Sequence, residues 1–506
     1  MFYREKKNKS GSISIQILVK EKRKNRLVKT IGSSKDPEII SSLVLAAKDY
    51  IAKRLGQQVL FESDRPDSWF DSVFSAIESI RLVGPELILG KIFNEIGFNA
   101  IEDDLFRNLV ISRLIYPSSK LKTIRYLSQF RGVEYQPHQV YRYLDKLHNK
   151  QKRRIEQISY NHTLSILKGE PSVVFYDVTT IYFEAEKEDD LRIAGFSKEG
   201  KHKHPQILLG LLVSEGGYPL AYDIHSGNTY EGHTLIPILN SFKDRFSLQR
   251  LTVIADAGLL TKTNLAQLKE NEYDFILGAR IKSETNAIKK KLLSLSLKNG
   301  ESKVIQKEEG LKLIVSFSES RAKKDQKNRE KGLERLEKSL SQGKLTKSNI
   351  NNRGYNKYLT MKGEVDISID YEKYKLDAQW DGLKGYYTNI QQPSREIIDR
   401  YNELWMIEKA FRISKTDLRI RPIYHRLQNR IQAHICLSFA AYKVYKELER
   451  QLKERQSPFT ITETIEMMQS INAITIKHEK LGQQTRIKPQ SQKQIELLNL
   501  FEIQIG

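Results

Sequence analysis

The chain has one cysteine, Cys436, among 506 residues. That excludes an intrachain disulfide framework and any cysteine-rich zinc site. A reducing cytosol is the simplest compartment. Cys436 lies in the apolar stretch Ala433-His-Ile-Cys-Leu-Ser-Phe439 and reads as a small buried hydrophobe. No run of about 18 apolar residues occurs, the length a membrane-spanning helix needs. The opening Met1-Phe-Tyr-Arg-Glu-Lys-Lys7 lacks a signal-peptide apolar core. Internal repeats and low-complexity tracts are missing too. Acidic charge is in deficit: 62 Asp and Glu face 84 Lys and Arg, a formal net charge of +22. A globular protein this basic is expected to meet a polyanion. Nucleic acid is the first candidate, and an anionic membrane surface a weak second.

Apolar residues make up 39% and aromatics 9%, enough for real cores, and the length suits roughly 3 domains. Ile13, Ile15, Ile17 and Val19, then Leu27, Val28 and Ile31, flank Lys20-Glu-Lys-Arg-Lys-Asn-Arg26. The alternation over 12–31 predicts a β-hairpin with a basic tip. Asp36-Pro37 opens a helix to about residue 55, with Asp as cap and Pro in the first turn. Residues 69–150 read as helical, broken by Pro117 and Pro137; the short helix 137–148 carries Arg142, Lys146 and His148.

From 171 the period shortens to two. Pro171-Ser-Val-Val-Phe-Tyr-Asp177 is an apolar run ending in an acid. Gln206–Val213 and Tyr218–His225 flank the turn Ser214-Glu-Gly-Gly217, a hairpin signal. A helix over 234–246, a strand Leu251-Thr-Val-Ile-Ala-Asp256, a helix over 263–270 and a strand Asp274–Arg280 follow. A long helix at 395–416 comes last. This is the order of the ribonuclease H-like α/β fold. Residues 283–392 read as an insertion before that helix. The tail predicts a helix near 462–470, a short strand 473–476 and a helix near 491–503.

A carboxylate at the end of a buried strand is costly without a partner. Asp177 and Asp256 both take that position. Glu408 lies on the amphipathic stretch Tyr401–Lys415. With about 3.6 residues per turn, positions seven apart nearly eclipse. Tyr401, Glu408 and Lys415 are therefore expected on one face, with Arg412 one turn from Glu408. A Glu flanked by Lys and Arg describes a surface ion-pair row equally well. The two upstream aspartates turn the reading towards three carboxylates sharing two Mg2+ ions, with Mn2+ as a substitute. Two clustered cations can activate an attacking oxygen and stabilise a leaving one in phosphodiester chemistry. Lys415 and Arg412 would hold the scissile or a neighbouring phosphate, and Tyr401 would donate a hydrogen bond to phosphate. No covalent nucleophile is needed, which disfavours a tyrosine or serine recombinase.

Other polar residues admit two readings each. His202 and His204 form a His-x-His pair, yet without nearby cysteine a solvated, phosphate-facing loop is preferred to zinc. Asp223 and His225 share one side of a strand, as structural groups or as support for Asp177. Glu231 and His233 follow a Gly-Asn loop with the same two options. His425 follows the last helix and is either structural or close to DNA. The run Arg321–Lys344 is a solvated face or a phosphate contact.

The chain resembles the DDE transposases of bacterial insertion sequences. The resemblance rests on Asp177-Val-Thr-Thr180, Gly227-Asn-Thr-Tyr-Glu231, Ala255-Asp-Ala-Gly-Leu259, and Leu404-Trp-x-Ile-Glu-x-x-Phe-Arg412 followed by Arg421-Pro-Ile-Tyr-His425. More narrowly it looks like the branch with a Tyr-x2-Arg-x3-Glu-x6-Lys signature, here Tyr401, Leu404, Glu408 and Lys415. Leu404 replaces the branch's Arg, leaving Arg412, Arg419 or Arg421 to supply that cation. The resemblance implies a catalytic core at 166–282 and 393–450 and a largely β insertion at 283–392. Ahead of them it implies a basic hairpin plus helix at 1–60 and a helical DNA-end-binding region at 61–165, with a C-terminal region at 451–506 behind. The insertion is implied to shape the cleaved end, some members stacking an aromatic on a flipped base, which makes Trp380 a candidate. Double-stranded DNA is the implied partner, as inverted-repeat ends and as target. Lys22, Arg23, Lys24 and Arg26 are candidate contacts at the hairpin tip. A homodimer on DNA, no membrane, and a bacterial cytoplasmic, nucleoid-associated location complete the expectation. A ribonuclease H-like nuclease without strand transfer and an inactive DNA-binding derivative are the alternatives.

Overall fold

In the computed structural model, the described residues are 1–21, 24–54, 73–169, 172–196, 200, 203–246, 248, 251–308, 310–351, 354–362, 366–478 and 482–505. Two compact units divide the chain: Met1–Ile80 with Ile474–Arg486, and Arg81–Ala473 with Ile487–Gly506.

In the first unit β1 (Phe2–Lys7), β2 (Ile13–Glu21) and β3 (Lys24–Ser34) form an antiparallel sheet in that order. The expected hairpin is its β2–β3 half. The polar segment that makes β1 gave no strand signal. Ile15 and Ile17 point inward with period two and pack with Ala47 of helix α1 (Pro37–Arg54). Asp36 caps α1, its Oδ1 accepting from Glu38 N at 2.8 Å. Lys24 and Arg26 are exposed; Lys22 and Arg23 lie outside the described residues. One correction falls here. Ile77–Leu82 is a strand, β4, within a region expected to be helical, and it joins the sheet of Asn472–His478 and Gly482–Lys488.

The second unit begins with α2 (Gly84–Ile96), α3 (Asp104–Ile115), α4 (Lys120–Tyr126), α5 (Pro137–Lys146) and α6 (Lys152–Leu167). Pro137 opens α5 where the short helix 137–148 was expected, because the first turn needs no amide hydrogen there. Next come β5 (Val173–Tyr182), β6 (Ile193–Ala194), β7 (Pro205–Ser214), β8 (Pro219–Ser226), α7 (Leu235–Phe246), β9 (Thr252–Ala255), α8 (Lys262–Glu270) and β10 (Asp274–Ala279). Then follow α9 (Asn286–Leu293), β11 (Ser302–Glu308), β12 (Leu311–Phe317), α10 (Glu319–Ser341), β13 (Leu359–Lys362), β14 (Asp366–Ile369), α11 (Tyr371–Ala378) and β15 (Leu383–Thr388). Helices α12 (Ser394–Asn402), α13 (Trp405–Thr416) and α14 (Gln428–Glu454) complete the site-bearing part.

One nine-stranded sheet organises this unit, in the order β11-β12-β15-β10-β9-β5-β7-β6, with β8 also paired to β7. β5, β9 and β10 are parallel neighbours, whereas β7 and β8 run antiparallel. Alternation splits the side chains between two cores. Phe175, Ile254 and Ile276 face Ile397, Ile407 and Leu437 of α12, α13 and α14. Tyr176, Val253 and Phe275 face Leu239 and Phe242 of α7 and Leu268 of α8. Full burial of each such apolar side chain contributes about 1.5–3 kcal/mol. Cys436 is buried in α14, and burial pushes its thiol up to about 12.

Two further expectations are corrected. Residues 283–392, expected to be largely β, hold more helix than strand, chiefly the 23-residue α10. Its Lys, Arg, Glu and Leu residues are good helix formers, and its Leu336 packs with Tyr358, Leu359 and Ile369. Moreover β11, β12 and β15 extend the central sheet beyond β10. The expected long helix 395–416 is two helices, α12 and α13, joined through Glu403 and Leu404. The join tightens into i+3 turns, Met406 N to Glu403 O at 2.9 Å and Ile407 N to Leu404 O at 3.2 Å. Among the described residues no helix is long and apolar enough to cross a membrane.

Candidate active site

Parallel pairing of β5 with β9 sets Phe175 opposite Ile254 and Tyr176 opposite Ala255. The next residues are Asp177 and Asp256. Two positions beyond Phe175 and Ile254, both carboxylates project from the face covered by α12, α13 and α14. Asp177 is half-buried and Asp256 exposed. Asp256 ends its strand, preceding the turn Ala257–Leu259. Asp177 does not end its own: β5 runs on to Tyr182, paired with β7. The β-branched Val178-Thr-Thr-Ile181 sustains that extension.

Tyr401, in the last turn of α12, is 4% exposed, and its hydroxyl donates to Asp256 Oδ1 at 3.4 Å. It crosses Gly278 of β10. A Cβ on Gly278 would fall 2.5 Å from that hydroxyl and 2.8 Å from Ala257 N, so the close approach needs glycine. Burial first, then the Asp256 charge, raises the Tyr401 phenol above its ordinary pKa, with a contribution from Asp177. Both aspartates thus lie within electrostatic reach of one hydroxyl.

Lys384 of β15 reaches the same place. Its ammonium stands 4.5 Å from the Tyr401 ring centre and 5.4 Å from that of Tyr386. Burial and Arg321 lower its pKa, while Asp256 and Glu408 act to raise it. Lys384 therefore lies within electrostatic reach of two of the three predicted carboxylates. It shares a cavity of about 460 Å3 with Arg280, Lys282, Arg321 and Trp380. Arg280 donates to the Gly258 carbonyl at 3.2 Å, and Lys282 pairs with Asp377.

The remaining predicted residues scatter around this centre. Glu408 is exposed on α13, with Lys415 half-buried on the same helix. Tyr401 belongs to the preceding helix, so the single face expected for Tyr401, Glu408 and Lys415 does not form. Leu404 is 7% exposed at the join. Arg412 is exposed, and its charge is felt at Tyr445 of α14. Arg421 stacks 4.6 Å from the Tyr182 ring centre, and the Arg419 carbonyl accepts from Arg113. Trp380 is half-buried in the turn after α11, packing on the core while lining the cavity. The pairings set Asp223 in line with Val178, and His225 with Thr180. That is the sheet face opposite Asp177, so neither supports it directly. Glu231 approaches the loop after Asp256: a Cβ on Gly258 would lie 3.7 Å from Glu231 Oε2 and 3.9 Å from Asp256 Oδ2. His204 lies beside Tyr182 and His233 beside Tyr230; His202 is outside the described residues. Arg321 and Arg329 are the members of the basic run that line the cavity.

Among the described residues no three His, Cys, Asp or Glu side chains are gathered closely enough to hold a metal ion by themselves. Two carboxylates stand on the sheet and the third on the facing helix.

No curated protein matches the chain. Among solved structures it is similar to a piggyBac transposase synaptic complex with hairpin DNA, at 9% identity and a TM-score of 0.40, over 76% of this chain and 78% of that one. Residues 168–443, more than half of the chain, match the Transposase DDE domain, and the chain belongs to the DDE transposase family.

Proposed function

We propose that this protein is a transposase that binds the inverted-repeat ends of its mobile element, cleaves them by metal-dependent hydrolysis and joins the 3′-hydroxyl ends to target DNA. One observation carries the reading: Asp177 and Asp256 follow the last residues that pair β5 with β9, on the sheet face covered by α12 and α13, the helices of Tyr401 and Glu408. The strand order β8-β7-β5-β9-β10 supports a ribonuclease H-like core, with two antiparallel strands on one side and two parallel strands on the other of β5.

Asp177, Asp256 and Glu408 offer oxygen donors only, a set that suits Mg2+ or Mn2+. Such ions, when bound, activate the attacking oxygen and stabilise the leaving one. The chain's own residues do the rest. Tyr401 orients Asp256 through its hydroxyl. Lys384, with Arg321 beside it, supplies positive charge for the phosphate next to the scissile bond, a contact that buried Leu404 cannot make. Lys415 and Arg412 grip the strand further along. Trp380, on the cavity wall, would stack on an unpaired base. The hairpin β2–β3, with Lys22, Arg23, Lys24 and Arg26, and the helices α2–α6 hold the element ends as double-stranded DNA. A homodimer, acting on the nucleoid in a bacterial cytoplasm, brings two ends together.

The test mixes the protein with labelled end DNA, supercoiled target plasmid and Mg2+. Joined end–plasmid products are expected. Cleavage without joining would make the protein a ribonuclease H-like nuclease, and absence of cleavage an inactive DNA-binding derivative.

A further inference from the structure

A second basic site lies apart from the three carboxylates. Ser119, Lys120, Lys122, Tyr141, His425 and His434 are among the residues lining a cavity of about 350 Å3, and no acid lines it. Lys120 is 6% exposed. Among the described residues its ammonium has no carboxylate or hydrogen-bond partner, and the charge acting on it is the like charge of Arg113. Arg113 is 4% exposed, and its hydrogen-bond partners among the described residues are the Arg419 carbonyl at 3.3 Å and His434 Nδ1 at 3.4 Å. Asp145, the acid whose charge reaches His425, is held by Arg430 through two 3.0 Å hydrogen bonds. Among the described residues, two buried basic groups thus lie together without an anion; burial and the like charge of Arg113 hold the Lys120 pKa well below its ordinary value, and an arriving anion would favour its charged form.

We propose that this cavity is a phosphate site that takes one phosphate group of a DNA backbone. Lys120 meets the phosphate as a point charge, with Arg113 adding charge from behind and the Ser119 and Tyr141 hydroxyls able to donate. The rim favours a polynucleotide over a free anion. Lys122 is exposed there, and Tyr424 is 68% exposed, the cation-plus-aromatic pairing that grips nucleic acid. The site stands independently of the carboxylate reading, because it can hold phosphate whatever Asp177, Asp256 and Glu408 do.

The experiment uses the full chain and Lys120→Met, which removes charge but keeps an unbranched stem. The first arm compares thermal midpoints in sodium phosphate and sodium chloride at equal ionic strength. The second measures affinity for a DNA duplex against salt. Phosphate should raise the midpoint of the wild type and not of the variant. The slope of log affinity on log salt should flatten by about 0.9 in the variant, one phosphate contact. A phosphate response without a change in DNA slope would assign the pocket to a small anion and overturn the DNA source. No difference in either arm would overturn the site. Should Lys120→Met fail to fold, exposed Lys122→Ala carries the same DNA arm, and an unchanged slope there counts against the proposal.

Discussion

The Tyr401 hydroxyl donates to Asp256 Oδ1 at 3.4 Å, joining helix α12 to the end of β9. Tyr401→Phe removes that donor and keeps the ring against Tyr386, 4.9 Å away. Stability should be nearly unchanged. Cleavage should fall about 10-fold, the scale for losing a partner that orients a metal-binding group. A single-turnover rate equal to the wild type would mean that the contact orients nothing.

Gly278 makes that contact possible. In Gly278→Ala the new methyl would sit 2.5 Å from the Tyr401 hydroxyl and 2.8 Å from the Ala257 amide nitrogen. The tyrosine can retreat; the backbone cannot do so cheaply. The expected cost is about 1–3 kcal/mol in urea unfolding, as for other overpacked sites. Combining it with Tyr401→Phe should cost less than the sum, because the two changes share one contact. Full additivity would place the strain elsewhere.

Lys384, on β15, feels the charges of Asp256 and Glu408. Neutralising it in Lys384→Met should lower cleavage about 100-fold, the range for a preorganised electrostatic group. Lys384→Arg should recover part of that loss. Lys415→Ala is the comparison, since Lys415 shares α13 with Glu408. A mild effect at 384 with a severe one at 415 would return the phosphate contact to the signature helix alone.

The sequence made the strands legible because buried strands read as apolar runs: Val173–Tyr176, Ile207–Val213 and Val253–Ala255 all bury as their composition demands. Asp177 and Asp256 stood out as acids closing such runs. What lay hidden depended on tertiary pairing. Lys384 is an unremarkable lysine until β15 pairs with β10, setting Gly385 opposite Ala279. The break at Leu404 has no Gly or Pro to mark it, and a continuous wheel therefore put Tyr401 on the wrong helix. Asp223 and His225 looked like neighbours of Asp177 because period two fixes which residues share a face but not which face turns to the site; the pairing register decides that.

Buried histidines, His162, His425 and His434 among them, lower stability in acid. Burial, with Lys443 and Arg450 acting against Glu447, pushes His162 down to about 4. Burial and the cations Lys120, Arg430 and Arg113 push His425 down to about 4. Burial and Arg113 hold His434 well below its ordinary value too. The unfolded chain takes up these protons near pH 6.5, while the folded chain stays neutral, so it is the unfolded state that gains protons. Stability present above about pH 6.5 is lost as pH falls towards 4. Urea midpoints should drop between about pH 7 and pH 5, less steeply in His162→Asn. A flat profile would show these rings protonating in the folded state.

The most direct measurement is metal-dependent cleavage of end DNA by Asp177→Ala, Asp256→Ala and Glu408→Ala, each compared with its affinity for the same DNA. Carboxylates that serve chemistry contribute little to phosphate affinity. All three variants should therefore bind end DNA nearly as the wild type does and cleave none of it. Cleavage persisting at a substantial fraction of the wild-type rate in Asp177→Ala or Asp256→Ala would contradict the assignment of the site.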